Sequence, residues 1–303
     1  MVRNMRCSKR NSSRSPYVAL VAPIALAAAL FLATGVPAIA ATIPHGTLEL
    51  LAENQSLAAG GTVELALHFQ LEPGWHIYWI NPGDSGEPPR VTWQLPSGLT
   101  AGELLWPAPQ RLGTASIVDF GYRDEVALLV PLHAEASLPA DRPAQLAAEV
   151  KVLVCREVCI PGKAELSLTL PVALQAPAKI GSVAALFTAA RKSLPRAFPR
   201  NWTLQATENH LAFELTARLD RQVTQAMFFP LLESQIDNAA PQEFAPAPNG
   251  FRLTLRKSDQ LLKPPARLQG LLVVSGQAYA IDVPLLKSAA AGGAGNEFHP
   301  RHS

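Results

Sequence analysis

Cysteine and charge are both scarce in this sequence, and several enzyme signatures are missing. Three of the 303 residues are cysteine, and 17% are charged. The chain has no Gly-x-Ser-x-Gly nucleophile motif, no phosphate-binding loop and no His-Glu-x-x-His zinc motif. Asp84-Ser85-Gly86 lies in a proline-rich stretch without an evident base partner, so it does not indicate a hydrolase. The cysteines are therefore the residues whose chemistry has to be explained.

Long apolar runs are also rare, and the clearest one lies near the N-terminus. Residues 18–32 are apolar, five basic residues precede them, and Ala38-Ile39-Ala40 forms a small-x-small cleavage site. We expect a signal peptide over residues 1–40, cleaved after Ala40, and a mature chain in the periplasm; an uncleaved anchor is the alternative. Removal takes away five positive charges and no acidic residue, so the formal net charge falls from +2 to −3. Such a charge does not favour nucleic-acid binding.

Turn-forming residues, by contrast, are abundant, with 27 prolines and 19 glycines. Residues 62–70 alternate as a half-buried strand does, and residues 75–80 form an aromatic strand. We expect irregular structure over residues 81–89 and a long loop over residues 109–119. Roughly seven or eight such strands without a convincing helix predict an antiparallel β-sandwich.

The mature chain is predicted to contain two β-rich domains. The first spans residues 41–174, and residues 175–181 form an Ala/Pro linker to the second at residues 182–288. The second begins with the one good helix, residues 182–193, with Ser182 as its N-cap. Residues 289–303 form an Ala/Gly-rich tail that we expect to be disordered. The predicted fold class is all-β with one short helix.

Cys155 and Cys159 are the two thiols expected in the mature chain. On a straight strand, positions with this spacing lie roughly 13 Å apart, whereas a disulfide needs Cα atoms within about 7 Å. A bond between them therefore requires a turn in the three intervening residues. So small a ring stabilises a fold by only about 2 kcal/mol. An exported, accessible redox pair and a hairpin-tip disulfide without chemistry are both open readings.

Metal binding is the rival chemistry for this thiol pair. Two thiolates would need one or two further ligands to hold copper or zinc. His68, His76 and His133 are candidates only if the fold brings them close to the cysteines. A lone histidine on a strand is more often structural, so we predict neither a metal nor a cofactor.

Four segments of the chain carry a family resemblance: Gly74-Trp75-His76-Ile77-Tyr78-Trp79-Ile80-Asn81-Pro82-Gly83-Asp84-Ser85-Gly86; Trp106-Pro107-Ala108-Pro109; Phe120-Gly121-Tyr122; and Val154-Cys155-Arg156-Glu157-Val158-Cys159-Ile160-Pro161. In this order they resemble the N-terminal periplasmic domain of DsbD-type thiol:disulfide interchange proteins, especially the ScsB-like branch. Phe228-Phe229-Pro230 and Asn238-Ala239-Ala240-Pro241-Gln242 resemble the second β domain of that branch.

The resemblance implies an immunoglobulin-like β-sandwich whose cysteine pair passes electrons. In such proteins the domain accepts electrons from a membrane-embedded partner and reduces periplasmic disulfide isomerases or cytochrome c maturation factors. A cap loop shields the cysteines, and the matching stretch here is about residues 111–122. Phe120 is the candidate shielding ring, with Tyr122 and Tyr78 as further candidates.

The leading hypothesis is thus a periplasmic thiol–disulfide exchange protein with Cys155 and Cys159 as its catalytic pair. Its expected partners are a separate membrane electron donor of DsbD or ScsB type and periplasmic thioredoxin-like or disulfide isomerase proteins. If the chain is an enzyme, it is a protein-disulfide reductase. The alternatives are a non-catalytic periplasmic binding or scaffold module with a structural disulfide and, third, a copper- or zinc-binding protein.

Overall fold

The computed structural model describes residues 40–113, 116–173 and 178–287. The predicted signal peptide before Ala40, the predicted tail at residues 289–303 and residues 175–177 of the predicted linker lie outside these ranges. So do two residues of the predicted cap loop.

The first β domain is built from two antiparallel sheets. One sheet has the strand order β1-β2-β4-β10-β7, and the other has the order β12-β11-β5-β9-β8, with β6 also pairing with β11. A parallel pair of short strands, β13 and β3, lies beside them. The strands are β1 (Ala41–Ile43), β2 (Gly46–Ala52), β3 (Leu57–Ala58), β4 (Thr62–Leu71), β5 (His76–Gly83), β6 (Arg90–Gln94), β7 (Leu99–Ala101), β8 (Gln110–Gly113), β9 (Val118–Arg123), β10 (Glu125–Ala134), β11 (Ala144–Cys155), β12 (Cys159–Leu170) and β13 (Val172–Ala173).

Alternating apolar residues form the core between these two sheets. On β4 the alternate residues Leu65 and Leu67 are fully buried, and on β11 Val150, Val152 and Val154 are buried in the same core. Because side chains of a strand point to opposite faces in turn, this alternation leaves one apolar face per sheet to be covered by the other sheet. The predicted β-sandwich is confirmed.

The second β domain forms around an eight-stranded sheet of order β17-β20-β21-β15-β16-β19-β18, with β14 pairing with β21. Its core includes the fully buried rings of Phe213, Phe228 and Phe251. The second β-rich domain that was expected from the sequence is thus confirmed. The strands are β14 (Arg196–Ala197), β15 (Thr203–Glu208), β16 (Ala212–Arg218), β17 (Ala226–Pro230), β18 (Glu243–Ala247), β19 (Gly250–Arg256), β20 (Arg267–Val274) and β21 (Gln277–Lys287).

One short helix, α1 (Ala184–Ser193), follows a 3₁₀ turn at Gly181–Val183. Its buried Phe187 packs with Ala66 and Leu129 on the outer face of the first sheet, so β4 is covered on both faces rather than half-buried. Ser182 is not the N-cap as expected, because it lies in the 3₁₀ turn and the helix begins after Val183 without a side-chain cap. Within the described residues, no helix is long and apolar enough to span a membrane.

Two stretches expected to be irregular contain strands. β5 continues through Asn81 and Pro82 to Gly83, after an irregularity in its pairing with β9 that begins at Tyr78. Gly83 has a φ of +94°, and a Cβ there would lie 2.4 Å from the Val118 carbonyl oxygen, so glycine permits this close approach. The expected loop at residues 109–119 contains β8, which pairs with β9. Pro82 and Gly83 inside β5, and Gly113 at the end of β8, hide the strand signal in the sequence.

The two β domains share a continuous apolar contact. The ring of Phe229 packs edge to face against Trp79 and Phe120, with centroid distances of 6.4 and 5.2 Å. Asn81 donates from Nδ2 to the carbonyl oxygens of Pro230 and Leu232 at 2.8 and 3.3 Å. Strand β5 therefore connects the core of the first domain to the second domain.

Candidate functional site

Cys155 and Cys159 form a disulfide at the tip of the β11–β12 hairpin. Cys155 is the last residue of β11, Cys159 is the first of β12, and the two face each other in the strand register. Their Cα atoms lie 4.2 Å apart. The intervening turn is closed by a hydrogen bond of 3.2 Å from the Arg156 amide to the Val158 carbonyl. The predicted turn is confirmed.

The two sulfur-bearing residues differ in exposure. Cys159 is exposed at the start of β12, which is an edge strand. Cys155 lies on the outer face of β11, opposite to the core-facing Val154, yet only 2% of it is exposed. An outer-face residue is buried only if something else covers it, and the neighbouring strand β5 provides part of that cover. A reagent from solvent therefore meets Cys159 first.

Tyr78 on β5 contacts the exposed sulfur. Its hydroxyl lies 3.4 Å from Cys159 Sγ, and because a disulfide sulfur carries no proton, the hydroxyl is the donor. The Tyr78 side chain is 1% exposed. Burial and the negative charge of Asp119 raise the pKa of Tyr78 to about 12, against a smaller lowering by Ser85. Tyr78 thus stays protonated and able to donate at neutral pH.

A short loop after β5 covers the Tyr78 ring. Gly86 approaches so closely that a Cβ there would lie 2.1 Å from Tyr78 Cζ, and its φ is +86°. Any other residue would meet both a steric clash and backbone strain at this position. Glycine at residue 86 is therefore what lets the loop close over Tyr78 next to the disulfide.

Two aspartates hold this covering loop. Asp84 Oδ2 accepts from the Val118 amide at 2.7 Å, and Asp119 Oδ1 accepts from the Ser85 amide and hydroxyl at 3.0 and 2.9 Å. Burial raises the pKa of Asp119, the Ser85 hydrogen bonds lower it, and the Asp84 carboxylate raises it; the net direction is upward. The loop thus depends on a partly buried carboxylate.

Asp84 also joins the loop to the second β domain. Its Oδ1 accepts from Asn238 Nδ2 at 2.8 Å, and the Asn238 carbonyl accepts from the guanidinium of Arg111. A hydrogen-bonded path therefore runs from the second domain to the loop over Tyr78.

His76 lies beside the buried cysteine. It is the residue of β5 directly opposite Cys155, and Arg123 of β9 is opposite on its other side. Its imidazole is 6% exposed and lies edge to face with Tyr78 at 5.2 Å between centroids. Nε2 is buried without a hydrogen-bond partner among the described residues. Burial, and to a lesser extent the Arg123 charge, lower the pKa of His76.

Trp75 supports the turn between the cysteines. The Arg156 guanidinium lies 5.1 Å from the centroid of its ring, and His45 stacks on the ring at 3.7 Å. A cation over an indole face is attracted by the ring quadrupole, by about 0.5–1 kcal/mol at an exposed site. This contact holds Arg156 to one side of the turn.

The three candidate shielding residues occupy different places. Tyr78 contacts Cys159, whereas Phe120 lies in the core against Phe229, and Tyr122 donates to the Pro107 carbonyl at 2.8 Å. Shielding of the cysteines by Tyr78, Phe120 or Tyr122 stays a prediction. Sequence reasoning missed the covering loop with Gly86 and Asp119, and considered His76 only as a metal ligand. The strand alternation places His76 and Tyr78 on the same face of β5. It does not indicate which strand pairs with β5 beside them.

The histidines considered as metal ligands have separate surroundings. His68 contacts Glu125 and Glu49 at 2.7 and 3.4 Å, and His133 Nδ1 lies 3.0 Å from the Thr62 hydroxyl. In the part of the chain that the structure describes, no group of three or more His, Cys, Asp or Glu residues is arranged to hold a metal ion.

Comparisons with known proteins agree with this fold. Residues 47–171 match the family model of the N-terminal domain of the thiol:disulfide interchange protein DsbD. The crystal structure of the N-terminal periplasmic domain of ScsB from Proteus mirabilis is similar in fold, with a TM-score of 0.61 and 18% identity over 82% of this chain and 98% of that one. The periplasmic chaperone SfaE matches at a TM-score of 0.20 and 10% identity over 79% of this chain and 100% of that one, too weakly to carry an argument. No curated protein is significantly similar to this chain.

The fold and the site therefore define the class of protein: a β-sandwich with a disulfide at the tip of one hairpin. Residues 47–171 are a DsbD-type N-terminal domain, within a chain whose overall fold is that of the ScsB domain.

Proposed function

We propose that this chain is a periplasmic thiol–disulfide exchange protein that passes electrons through Cys155 and Cys159. The observation that carries the proposal is the unequal exposure of the two residues, with a buried tyrosine hydroxyl on the exposed sulfur. Thiol–disulfide exchange needs one sulfur that a partner can reach and a second that resolves the mixed disulfide. The hairpin tip provides both within one turn of chain.

Electron uptake begins at the exposed sulfur. A thiolate of the donor attacks Cys159 Sγ, the Cys155–Cys159 bond breaks, and its electron pair leaves on Cys155 Sγ. The second thiol of the donor then attacks the mixed disulfide, forms the donor's own disulfide and releases Cys159. Two electrons and two protons have passed from the donor dithiol to this chain.

Electron delivery reverses the roles. The Cys159 thiolate attacks the disulfide of a target protein, and Cys155 then attacks the mixed disulfide and releases the target in its reduced form. Cys159 bears the negative charge in both directions: when it leaves the mixed disulfide during uptake, and before it attacks the target during delivery. The Tyr78 hydroxyl stabilises that charge, because a hydrogen bond to an ionised group contributes about 1.5–3 kcal/mol.

The proposed partners follow from this chemistry. The donor is a separate membrane protein of DsbD or ScsB type, and the targets are periplasmic thioredoxin-like proteins or disulfide isomerases. The name of the matching family and the periplasmic origin of the ScsB domain support this assignment.

Trapping in the periplasm tests the proposal. Cys155→Ala leaves Cys159 exposed and without its resolving partner, so mixed disulfides with target proteins should accumulate and disappear on treatment with dithiothreitol. Cys159→Ala should trap far less, because the remaining cysteine is buried. The double variant is the control for non-specific capture.

The scaffold alternative gives the opposite result. A structural disulfide would trap nothing in either variant and would have a reduction potential below about −300 mV. That pair of outcomes would overturn the exchange proposal.

A further inference from the structure

His76 has a placement that the exchange steps above leave unused. Among the buried polar side chains that the structure describes, His76 is the one paired with a cysteine of the disulfide in the strand register. Residues directly opposite on an antiparallel pair have Cβ atoms about 4.5–5.5 Å apart on the same face of the sheet. An imidazole ring extends far enough from its Cβ to reach a sulfur at that separation.

The unpaired nitrogen is the second observation. Buried polar side-chain atoms are nearly always hydrogen-bonded, and an unpaired one costs about 1–3 kcal/mol. Nε2 of His76 is such an atom in the disulfide form of the protein. The sulfurs of a disulfide carry no proton and accept weakly, so this nitrogen gains a strong partner only when the bond is reduced.

Reduction creates the partner at the right place. Breaking the bond leaves the electron pair on Sγ of Cys155, a residue that is only 2% exposed. A buried thiolate without a counter-charge is strongly disfavoured. A proton must therefore arrive next to this sulfur during the exchange.

We propose that His76 is the proton-exchange partner of Cys155, forming an imidazolium–thiolate pair with it when the disulfide is reduced. The proposal rests on the exchange function above. Of the two protons that accompany the two electrons, one ends on Cys159 and the other in the His76–Cys155 pair. His76 is thus a positioning residue that stabilises the leaving sulfur, as Tyr78 does for Cys159.

The charges around His76 explain why the pair forms only on reduction. Arg123 is opposite it on β9, Tyr78 follows it on the same face of β5, and Cys155 is opposite on β11. In the disulfide form, burial and then Arg123 both disfavour an imidazolium, and this lowers the pKa of His76. A thiolate on Cys155 adds a negative charge that opposes both effects.

The test is a titration of the histidine ring resonances by nuclear magnetic resonance, in the oxidised protein and after reduction. His76 should titrate at least about one pH unit higher in the reduced protein, a tenfold change in proton affinity. The other histidines of the seven in the sequence serve as references, and His76→Asn assigns the signal. An unchanged His76 midpoint on reduction overturns the proposal, and no partner protein is needed to see it.

Thiolate absorbance gives a second readout from the sulfur side. In a background with Cys7→Ser and Cys159→Ala, Cys155 is the remaining thiol. Its thiolate fraction near neutral pH should fall about tenfold on His76→Asn, whereas His45→Asn, which alters the ring stacked on Trp75, should leave it unchanged. An equal thiolate fraction with and without His76 contradicts the pairing. Trapping by Cys155→Ala would be unaffected by that result, so failure of this inference is distinguishable from failure of the exchange function.

Discussion

The two ends of strand β5 are built for different purposes. At the first end, His76 and Tyr78 border the disulfide, with one ring nitrogen unpaired and one hydroxyl on an exposed sulfur. At the second end, Trp79 packs on Phe229, and Asn81 bonds two carbonyl groups of the second domain while its Oδ1 accepts from the Gly83 amide. One end has an unpaired ring nitrogen beside the disulfide, and the other end is held by paired contacts.

The difference shows how a single strand can serve a site and an interface at once. The irregular pairing after Tyr78 separates the two ends, because β5 leaves its register with β9 there and regains it at Gly83. The covering loop contacts both regions, because Gly86 lies against Tyr78 at the site and Asp84 accepts from Asn238 at the interface. The predictions below ask how independent the two ends are.

The largest effect is expected from Phe229→Ala at the interface end. Phe229 is buried against Trp79 and Phe120, and truncating such a ring costs about 3–5 kcal/mol of unfolding free energy. Guanidinium unfolding should show this loss, and the rate of disulfide reduction by dithiothreitol should stay within about twofold, since distant sites act independently. Phe244→Ala, at a half-buried ring against Phe251, is the matched control with a smaller loss. A large change in reduction rate on Phe229→Ala would show that the two ends are coupled.

Gly86→Ala tests the covering loop itself. The added Cβ meets the Tyr78 ring at 2.1 Å in a backbone with positive φ, so the loop must lift from the ring. Gly276→Ala is a matched control, because Gly276 has a φ of +82° and no atom within 4 Å of its Cβ position. Backbone strain should lower the free energy of unfolding of both variants by about 1–2 kcal/mol. The steric clash should lower that of Gly86→Ala by about 1–3 kcal/mol more. Equal losses in urea unfolding would mean that the loop does not press on Tyr78.

Tyr78→Phe sharpens the comparison at the site end without removing the ring. It deletes the hydroxyl on Cys159 Sγ, so release of Cys159 as a thiolate from its mixed disulfide with dithiothreitol should slow about tenfold, because one hydrogen bond to a developing thiolate contributes about 1.5 kcal/mol. The pKa of about 12 keeps the hydroxyl protonated at neutral pH, so the ratio of the two rates should not change with pH there. Tyr279→Phe in the second domain is the control and should reduce at the unaltered rate. If Tyr78→Phe reacts at the same rate as the unaltered chain, the hydroxyl takes no part in the mechanism.

Much of the fold was predictable because side-chain alternation survives in it. Strand β4 lies where the alternation placed it, and the turn between the cysteines follows from the reach of the chain. The misses are at glycine and proline: Gly83 and Pro82 lie inside β5, where a sequence pattern indicates a break.

The site was predictable in its cysteines and, through the family resemblance, in Tyr78, which contacts Cys159. That Cys155 would be opposite His76 depends on the pairing of strands far apart in sequence, which local patterns do not contain. Gly86 over Tyr78 is likewise a contact between a loop and a ring, and the sequence marks the loop only as a turn. The register between distant strands and the close approach of a loop to a ring decide these features. Neither leaves a periodic pattern in the sequence.

The smallest predicted effect concerns Asp119, which holds the covering loop through Ser85. Burial, outweighing the Ser85 hydrogen bonds, keeps the pKa of Asp119 above its ordinary value. A carboxyl with a raised folded-state pKa favours folding while protonated, so its contribution to the free energy of unfolding is lost as pH rises through the raised pKa. Asp119→Asn keeps an acceptor for Ser85 but cannot ionise, so its stability relative to the unaltered chain should rise as pH goes from acid to neutral in urea unfolding. Asp282→Asn is the control of opposite sign, because the Arg267 hydrogen bond lowers the pKa of Asp282 and that variant should lose relative stability over the same range. If the relative stability of the two variants instead changes in the same direction with pH, the Asp119 carboxylate under the covering loop is stabilised in its ionised form. Its negative charge would then stabilise the loop.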